Sequence, residues 1–148
     1  ETVDLSSVLR ERIETFESDH PNVVVETDLP EEQFVRAHNR LSAGIDELLE
    51  NAVEHNDSAS PTVWISLRSE ADDTVDVAIA DNGHGIPEIE REVVERGEEN
   101  PLFHSQGIGL WVARAAVVES GGEIRIVDNE PHGSIARISL PKAARTDT

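Results

Sequence analysis

Residues 41–55 read LSAGIDELLENAVEH, and this stretch predicts the central helix of the fold. Its apolar residues recur at helical spacing and form one stripe, made of Leu41, Ile45, Leu48, Leu49 and Ala52. Glu47, Asn51 and His55 follow one another at i, i+4 and i+8 along a second stripe beside the apolar one. The helix therefore places three polar side chains at the edge of the core.

Composition limits the classes of function. The chain has 148 residues, of which 37% are hydrophobic and lie in periodic runs, so we expect a folded domain and not a disordered one. It has 31 acidic against 12 basic residues, a formal net charge of −19, which repels nucleic acids and anionic membranes. Acid excess with a single lysine, Lys142, resembles proteins of salt-loving organisms, in which salt screens the repulsion. The absence of Cys excludes disulfides and thiolate metal sites.

The sequence has neither a membrane span nor a secretory signal. No run approaches the roughly 18–20 apolar residues of a span, and the first residues, ETVD, do not resemble a signal peptide. We therefore expect a cytoplasmic domain. A membrane anchor elsewhere in the full-length protein stays open.

Helices and strands alternate in blocks on both sides of the central helix. This order predicts an α+β fold, a two-layer α/β sandwich with helices on one face of a mixed sheet. The other predicted elements are a helix from Asp4, its N-cap, to about Ser18, strands at 23–25 and 33–37, a hairpin at 63–67 and 75–79, a helix from about Leu110 to Glu119, and a last strand pair at 124–126 and 136–140.

The polar stripe of the central helix has two interpretations. The amide oxygen of Asn51 is a suitable ligand for Mg²⁺, which keeps water and substrate phosphates as its other ligands. The carboxylate of Glu47, one turn earlier, could accept a proton from an attacking group. The alternative is an ordinary solvated helix face.

A glycine-rich loop follows the strand at 75–79. Residues 81–87 read DNGHGIP. A carboxylate at a strand end, here Asp81, can accept a hydrogen bond from an exocyclic amine such as that of adenine. Gly83 and Gly85 would let the backbone approach a flat ligand. The alternative is a simple tight turn, since Asn-Gly is a strong turn former.

A second glycine-rich stretch begins the last helix. Residues 105–110 read SQGIGL, and free backbone N–H groups at a helix start attract phosphate. The alternative is a flexible loop with a glycine at the helix start. A dinucleotide-binding motif is excluded because Val112 stands where a glycine is required, and a P-loop is excluded because no Gly-Lys-Ser/Thr occurs.

The three stretches, in this order and spacing, resemble the N, G1 and G2 boxes of the histidine-kinase branch of the GHKL ATPase superfamily (gyrase, Hsp90, histidine kinase, MutL). Residues 46–55 match the N box, with Asn51 at the Mg²⁺-binding position. Asp81 matches the G1 aspartate that holds the adenine amino group. Phe103 resembles the aromatic residue of the ATP lid, and residues 107–110 match the G2 box at the phosphates.

The resemblance implies a Bergerat fold in which residues 1–148 form a single ATP-binding catalytic domain and residues 88–106 form the ATP lid. The implied cofactors are ATP and Mg²⁺, with Asn51 as the metal ligand and with Glu47 and Asn51 as catalytic residues. The positions implied to bind ATP are Asn51, His55, Asp81, Gly83, Gly85, Ile86, Phe103, Ser105, Gln106, Gly107, Ile108, Gly109, Leu110 and Ser134.

The implied activity is transfer of the γ-phosphoryl group of ATP to a histidine on a separate dimerisation domain, and from there to a response regulator. No histidine of this sequence has the mid-helix context of such an acceptor, so we expect the acceptor helices to precede Glu1 in the full protein. Two alternatives stay open. One is a serine kinase or ATPase of the same superfamily, and the other is a nucleotide sensor that binds ATP without transferring phosphate.

Three residues depart from the usual family pattern. Glu54 stands where many members carry Lys or Arg facing the phosphates, and we expect it to repel ATP unless cations intervene. Ser105 replaces the first glycine of the fuller G2 pattern. Glu47 occupies a position that is often Asn in histidine kinases and is the general base, Glu, in the ATP-hydrolysing relatives.

Overall fold

A computed structural model describes residues 1–54, 56–70, 72–85 and 108–144. Within these ranges it contains three helices and seven strands. In chain order they are β1 (Thr2–Asp4), α1 (Leu5–Asp19), β2 (Val24–Asp28), β3 (Phe34–Arg36), α2 (Leu41–Glu54), β4 (Thr62–Ser69), β5 (Thr74–Asp81), α3 (Ile108–Glu119), β6 (Glu123–Asp128) and β7 (Ser134–Pro141).

A five-stranded mixed sheet forms one layer and the helices form the other. The strand order is β2-β4-β5-β7-β6, in which only β2 and β4 are parallel neighbours. Residues alternate between buried and more exposed positions along β5 and β7, as a sheet with one covered face requires. The predicted two-layer α+β sandwich is confirmed.

The core lies between the sheet and the helices. The apolar stripe predicted for α2 is buried throughout, from Leu41 to Ala52. α2 packs closely on α3, where a β-carbon added to Gly44 would lie 3.0 Å from the β-carbon of Ala116. Small residues at this crossing bring the two helices together, and with them the polar stripe of α2 and the start of α3.

α1 begins as predicted at Asp4, whose Oδ1 accepts from Ser6 N at 3.2 Å. Asp4 also belongs to a strand that the sequence did not predict. β1 pairs antiparallel with β3 in a separate two-stranded sheet, and Asp4 Oδ1 accepts from Gln33 N at 2.9 Å. Three residues are too few to show the alternation of apolar and polar side chains that predicts a strand. β1 is therefore recognisable only from its pairing with β3.

Other predictions fall outside the described residues. The predicted lid, residues 88–106, is one of them, and it stays a prediction. Among the described helices none is both long and apolar enough to cross a membrane.

Candidate nucleotide site

Asp81 is the last residue of β5, and its carboxylate is fixed from two directions. The side chain is buried at 6% exposure. Oδ1 accepts from the backbone N–H groups of Gly83 at 2.9 Å and Ser134 at 3.3 Å, and Oδ2 accepts from Ser134 Oγ at 3.0 Å. A carboxylate oxygen accepts up to two hydrogen bonds, so Oδ2 retains capacity for a further donor such as an amine.

The turn between β6 and β7, residues 129–133, packs against the backbone of Asp81 and of the loop that follows it. Asn129 Nδ2 donates to the Asp81 carbonyl at 2.9 Å, and His132 Nδ1 lies 3.2 Å from the Gly83 carbonyl oxygen. Gly133 has φ +108°, and a β-carbon there would lie 2.0 Å from the Asp81 carbonyl oxygen. This turn therefore holds Asp81 and Gly83 in place, and only glycine fits at position 133.

The polar stripe of α2 borders the start of α3. Glu47 and Asn51 are both half-buried. A β-carbon added to Gly109, in the first turn of α3, would lie 2.6 Å from Glu47 Oε2, so the carboxylate rests directly on that turn. A helix start favours an anion through its free N–H groups and its dipole. The structure thus brings together a predicted base and a predicted phosphate-binding turn.

Asn82 joins the end of α2 to the loop that follows Asp81. Its Oδ1 accepts from Asn56 Nδ2 at 3.0 Å and from Thr62 N at 2.9 Å. The sequence indicated only a turn at Asn82, and it did not indicate that Asn56, Asn129 or His132 belongs to the site. Polar residues in loops were the only available signal, and such residues are common in loops without a role.

Of the remaining predicted site residues, the structure describes Leu110 and Gly85 in full. Leu110 is 1% exposed and belongs to the core, so we expect any contact with a ligand to come from its backbone. Gly85 has φ +90°, as expected for a glycine of this loop. The others lie outside the described residues, or, for Ile108, have an undescribed side chain: His55, Ile86, Phe103, Ser105, Gln106, Gly107 and Ile108.

The residues present fit a magnesium ion that is held mainly by a nucleotide. Within the described ranges, no group of three or more His, Asp or Glu side chains could enclose a metal by itself. Mg²⁺ commonly takes only one or two protein oxygens beside phosphates and water. The half-buried amide of Asn51, one turn after Glu47, would supply such an oxygen.

Comparisons with known proteins identify the family to which this chain belongs. The family model described as Histidine kinase-, DNA gyrase B-, and HSP90-like ATPase matches residues 37–144. Sensor histidine kinase DpiB of Escherichia coli K12 is 35% identical over an alignment of 116 residues, which covers 73% of this chain and 20% of that protein. Sensor histidine kinase CitA of Klebsiella pneumoniae is 31% identical over an alignment of 109 residues, which covers 71% of this chain and 20% of that protein.

The fold is also shared with solved structures. A mycobacterial sensor histidine kinase, MprB, superposes with a TM-score of 0.82 at 24% identity, covering 98% of this chain and 99% of that one. The chain spans about a fifth of the length of the curated relatives DpiB and CitA. Because the family model covers most of the chain, including α2, Asp81, Gly109 and Ser134, the chain belongs to the family of histidine kinase-, DNA gyrase B- and HSP90-like ATPases.

Proposed function

We propose that this chain binds Mg²⁺-ATP and transfers the γ-phosphoryl group to a histidine of a separate helical phosphoacceptor domain. The observation that carries the proposal is the buried carboxylate of Asp81, which Ser134 and Gly83 hold in one orientation. A buried carboxylate is costly unless donors satisfy it, and the amino group of adenine is a complementary donor. The names of DpiB and CitA, both sensor histidine kinases, support the same reaction.

The phosphate end of the nucleotide would lie between α2 and α3. Asn51 would hold Mg²⁺, and the ion would neutralise charge on the phosphates. The free N–H groups at the start of α3 would bind phosphate oxygens. Glu47, which rests on Gly109, would accept the proton of the attacking group.

The role of Glu47 is tested by replacing it with Gln. Loss of a general base slows the chemical step by a factor of about 10²–10⁴. We expect Glu47→Gln to slow single-turnover phosphoryl transfer while ATP affinity, measured by calorimetry, stays near the native value. A loss of affinity as large as the loss of rate would show that Glu47 serves binding instead.

ATP binding through Asp81 has a matched control on the same strand. Asp76 lies on β5 at a half-buried position, on the opposite side of the strand from Asp81. Asp81→Asn should abolish measurable binding of Mg²⁺-ATP, because the amide presents a donor to the adenine amino group. Asp76→Asn should bind normally. Equal affinities of the two variants would overturn the proposed adenine site.

The transfer step requires an acceptor supplied in trans. Labelled ATP is incubated with this domain and a separately prepared dimerisation domain that carries a candidate histidine. Acid-labile, base-stable label on that domain supports a histidine kinase, and passage of the label to a response regulator identifies the next partner. Acid-stable label on serine, or binding without any transfer, would instead favour the serine-kinase or nucleotide-sensor alternative.

We further propose that the domain works in concentrated salt, inside the cytoplasm. The formal charge of −19 supports the salt dependence, since self-repulsion destabilises a compact acidic chain. The free energy of unfolding should rise steeply between dilute and molar KCl. A flat dependence would contradict the salt-adapted origin while leaving the proposed reaction untouched.

A further inference from the structure

A pair of side-chain amides joins the end of α2 to the loop after β5. Asn56 Nδ2 donates to Asn82 Oδ1 at 3.0 Å, although the two residues are 26 apart in the chain. We name this contact the amide bridge. Asn56 Nδ2 also lies 3.5 Å from the carbonyl oxygen of Ala52 in α2. Since Ala52 follows Asn51 directly and Asn82 follows Asp81 directly, the amide bridge connects the neighbours of the two proposed nucleotide ligands.

Both ends of the Asn82 side chain are engaged. Oδ1 also accepts from Thr62 N at 2.9 Å, and Nδ2 donates to the Ser60 carbonyl at 3.0 Å and to Ser58 Oγ at 3.3 Å. Rotation of the amide would exchange its donor and acceptor ends and break these contacts together. Asn82 is therefore locked in one orientation against residues 56–62.

The backbone packs at the same place. A β-carbon added to Gly83 would lie 3.4 Å from both Cα and Cγ of Asn56. The loop that follows Asp81 thus rests on Asn56, two residues after the end of α2. A tight Asn-Gly turn alone would leave the asparagine side chain in water, so these contacts exceed what the turn requires.

We propose that Asn82 is a positioning residue that, through the amide bridge, fixes the separation of Asp81 and Asn51 so that one nucleotide can engage both. This inference rests on the proposed function, in which Asp81 binds adenine and Asn51 holds Mg²⁺ at the phosphates. AMP reaches the adenine site but lacks the β- and γ-phosphates. Mg²⁺-ATP needs both sites, and its affinity therefore depends on their separation.

The test compares the two nucleotides in the native domain and in Asn82→Ala, by calorimetry for Mg²⁺-ATP and by NMR titration for AMP. We expect Mg²⁺-ATP affinity to fall about tenfold or more and AMP affinity less than about threefold. Equal losses for both nucleotides would overturn the proposal, because Asn82 would then shape only the adenine pocket. A native domain that binds neither nucleotide would instead refute the proposed function.

Two more variants separate positioning from general destabilisation. Asn82→Asp keeps an oxygen that accepts from Asn56 and Thr62, and it should retain most of the native ratio of the two affinities. The added charge affects both ligands alike, since AMP and Mg²⁺-ATP have similar net charge. An Asp variant with the ratio of the Ala variant would overturn the role of the amide bridge.

Asn56→Ala removes the amide bridge from its other end, and it should change the ratio as Asn82→Ala does. Ile13→Val in the core of α1 serves as the stability control, and it should lower the melting temperature without changing the ratio. Without nucleotide, amide hydrogens of residues 56–62 should exchange faster in Asn82→Ala than in Ile13→Val. Equal exchange and equal ratios in these two variants would show a purely structural role.

Discussion

The carboxylate of Glu47 on α2 rests on Gly109 in the first turn of α3, so closely that a β-carbon at position 109 would lie 2.6 Å from Oε2. Gly109 therefore leaves room for the Glu47 carboxylate, in addition to the phosphate-binding role proposed for the backbone at the start of α3. Because Oε2 is the free end of a flexible side chain, a β-carbon would displace the carboxylate and leave the helices where they are. The position of the proposed base thus depends on the absence of a side chain on the other helix.

Gly109→Ala should slow phosphoryl transfer by moving the Glu47 carboxylate. The unfolding free energy should change by less than about 1 kcal/mol, since alanine also favours the helix. Single-turnover transfer rates and urea denaturation measure the two effects. In a Glu47→Ala background the same substitution should hardly change the rate. A similar loss of rate in both backgrounds would mean that the alanine obstructs the phosphates directly.

Glu54→Lys should tighten Mg²⁺-ATP binding at low salt by a few-fold, and the gain should disappear in molar salt. Glu54 is exposed at the C-terminal end of α2, three residues after Asn51, and reversal of its charge removes repulsion of a polyanion. Dissociation constants at several salt concentrations provide the measurement. Glu14→Lys on the exposed side of α1 makes the same change in net charge and should have a smaller effect. Equal gains in both variants would point to net charge alone.

Gly133→Ala should destabilise the domain by more than the roughly 1–3 kcal/mol of backbone strain. The backbone there has φ +108°, and the added β-carbon would meet the Asp81 carbonyl oxygen, which cannot rotate away. Gly121 provides the comparison, because its φ is +80° but its nearest contact would be Pro141 Cγ at 3.5 Å. Urea unfolding should show a clearly larger loss at position 133. Equal losses would mean that strain, and not the contact with Asp81, dominates.

Asp4 should stabilise the fold in a pH-dependent way. Burial tends to raise the pKa of Asp4, but hydrogen bonds from Gln33 N, Ser7 Oγ and Ser6 N outweigh it, so the pKa lies below the ordinary 3.8. A depressed carboxyl pKa stabilises the folded state fully above the unfolded value, and this contribution disappears as pH falls through the lower folded value. Asp4→Ala should therefore cost about 1 kcal/mol near neutral pH.

The unfolding free energies of the native protein and of Asp4→Ala are measured between pH 7 and pH 2. The difference between native and Asp4→Ala should shrink only below about pH 4, as Asp4 is protonated in the native protein. A difference that stays constant down to pH 2 would show that the cap acts without its charge.

The helices were largely predictable because their signals are local. The spacing of Leu41, Ile45 and Leu48 requires one buried helix face, and Asp4 has the side chain of an N-cap. The strands at 63–67 and 75–79 were likewise found from their alternation. β1 was missed. β2 runs from Val24 to Asp28 where 23–25 was predicted, because Glu26 and Asp28 are residue types that strands disfavour. Their strand conformation depends on pairing with β4.

By itself, the sequence determined the element types other than β1, the covered face of the sheet and the order of the motif residues around Asn51, Asp81 and Gly109. Each of these follows from local spacing or from a local motif. Only the tertiary structure decided that Ser134 orients Asp81, that Glu47 rests on Gly109, and that Asn56 bonds Asn82. The physical reason is distance along the chain: such contacts form where packed elements cross, and no local pattern records which polar side chains meet there.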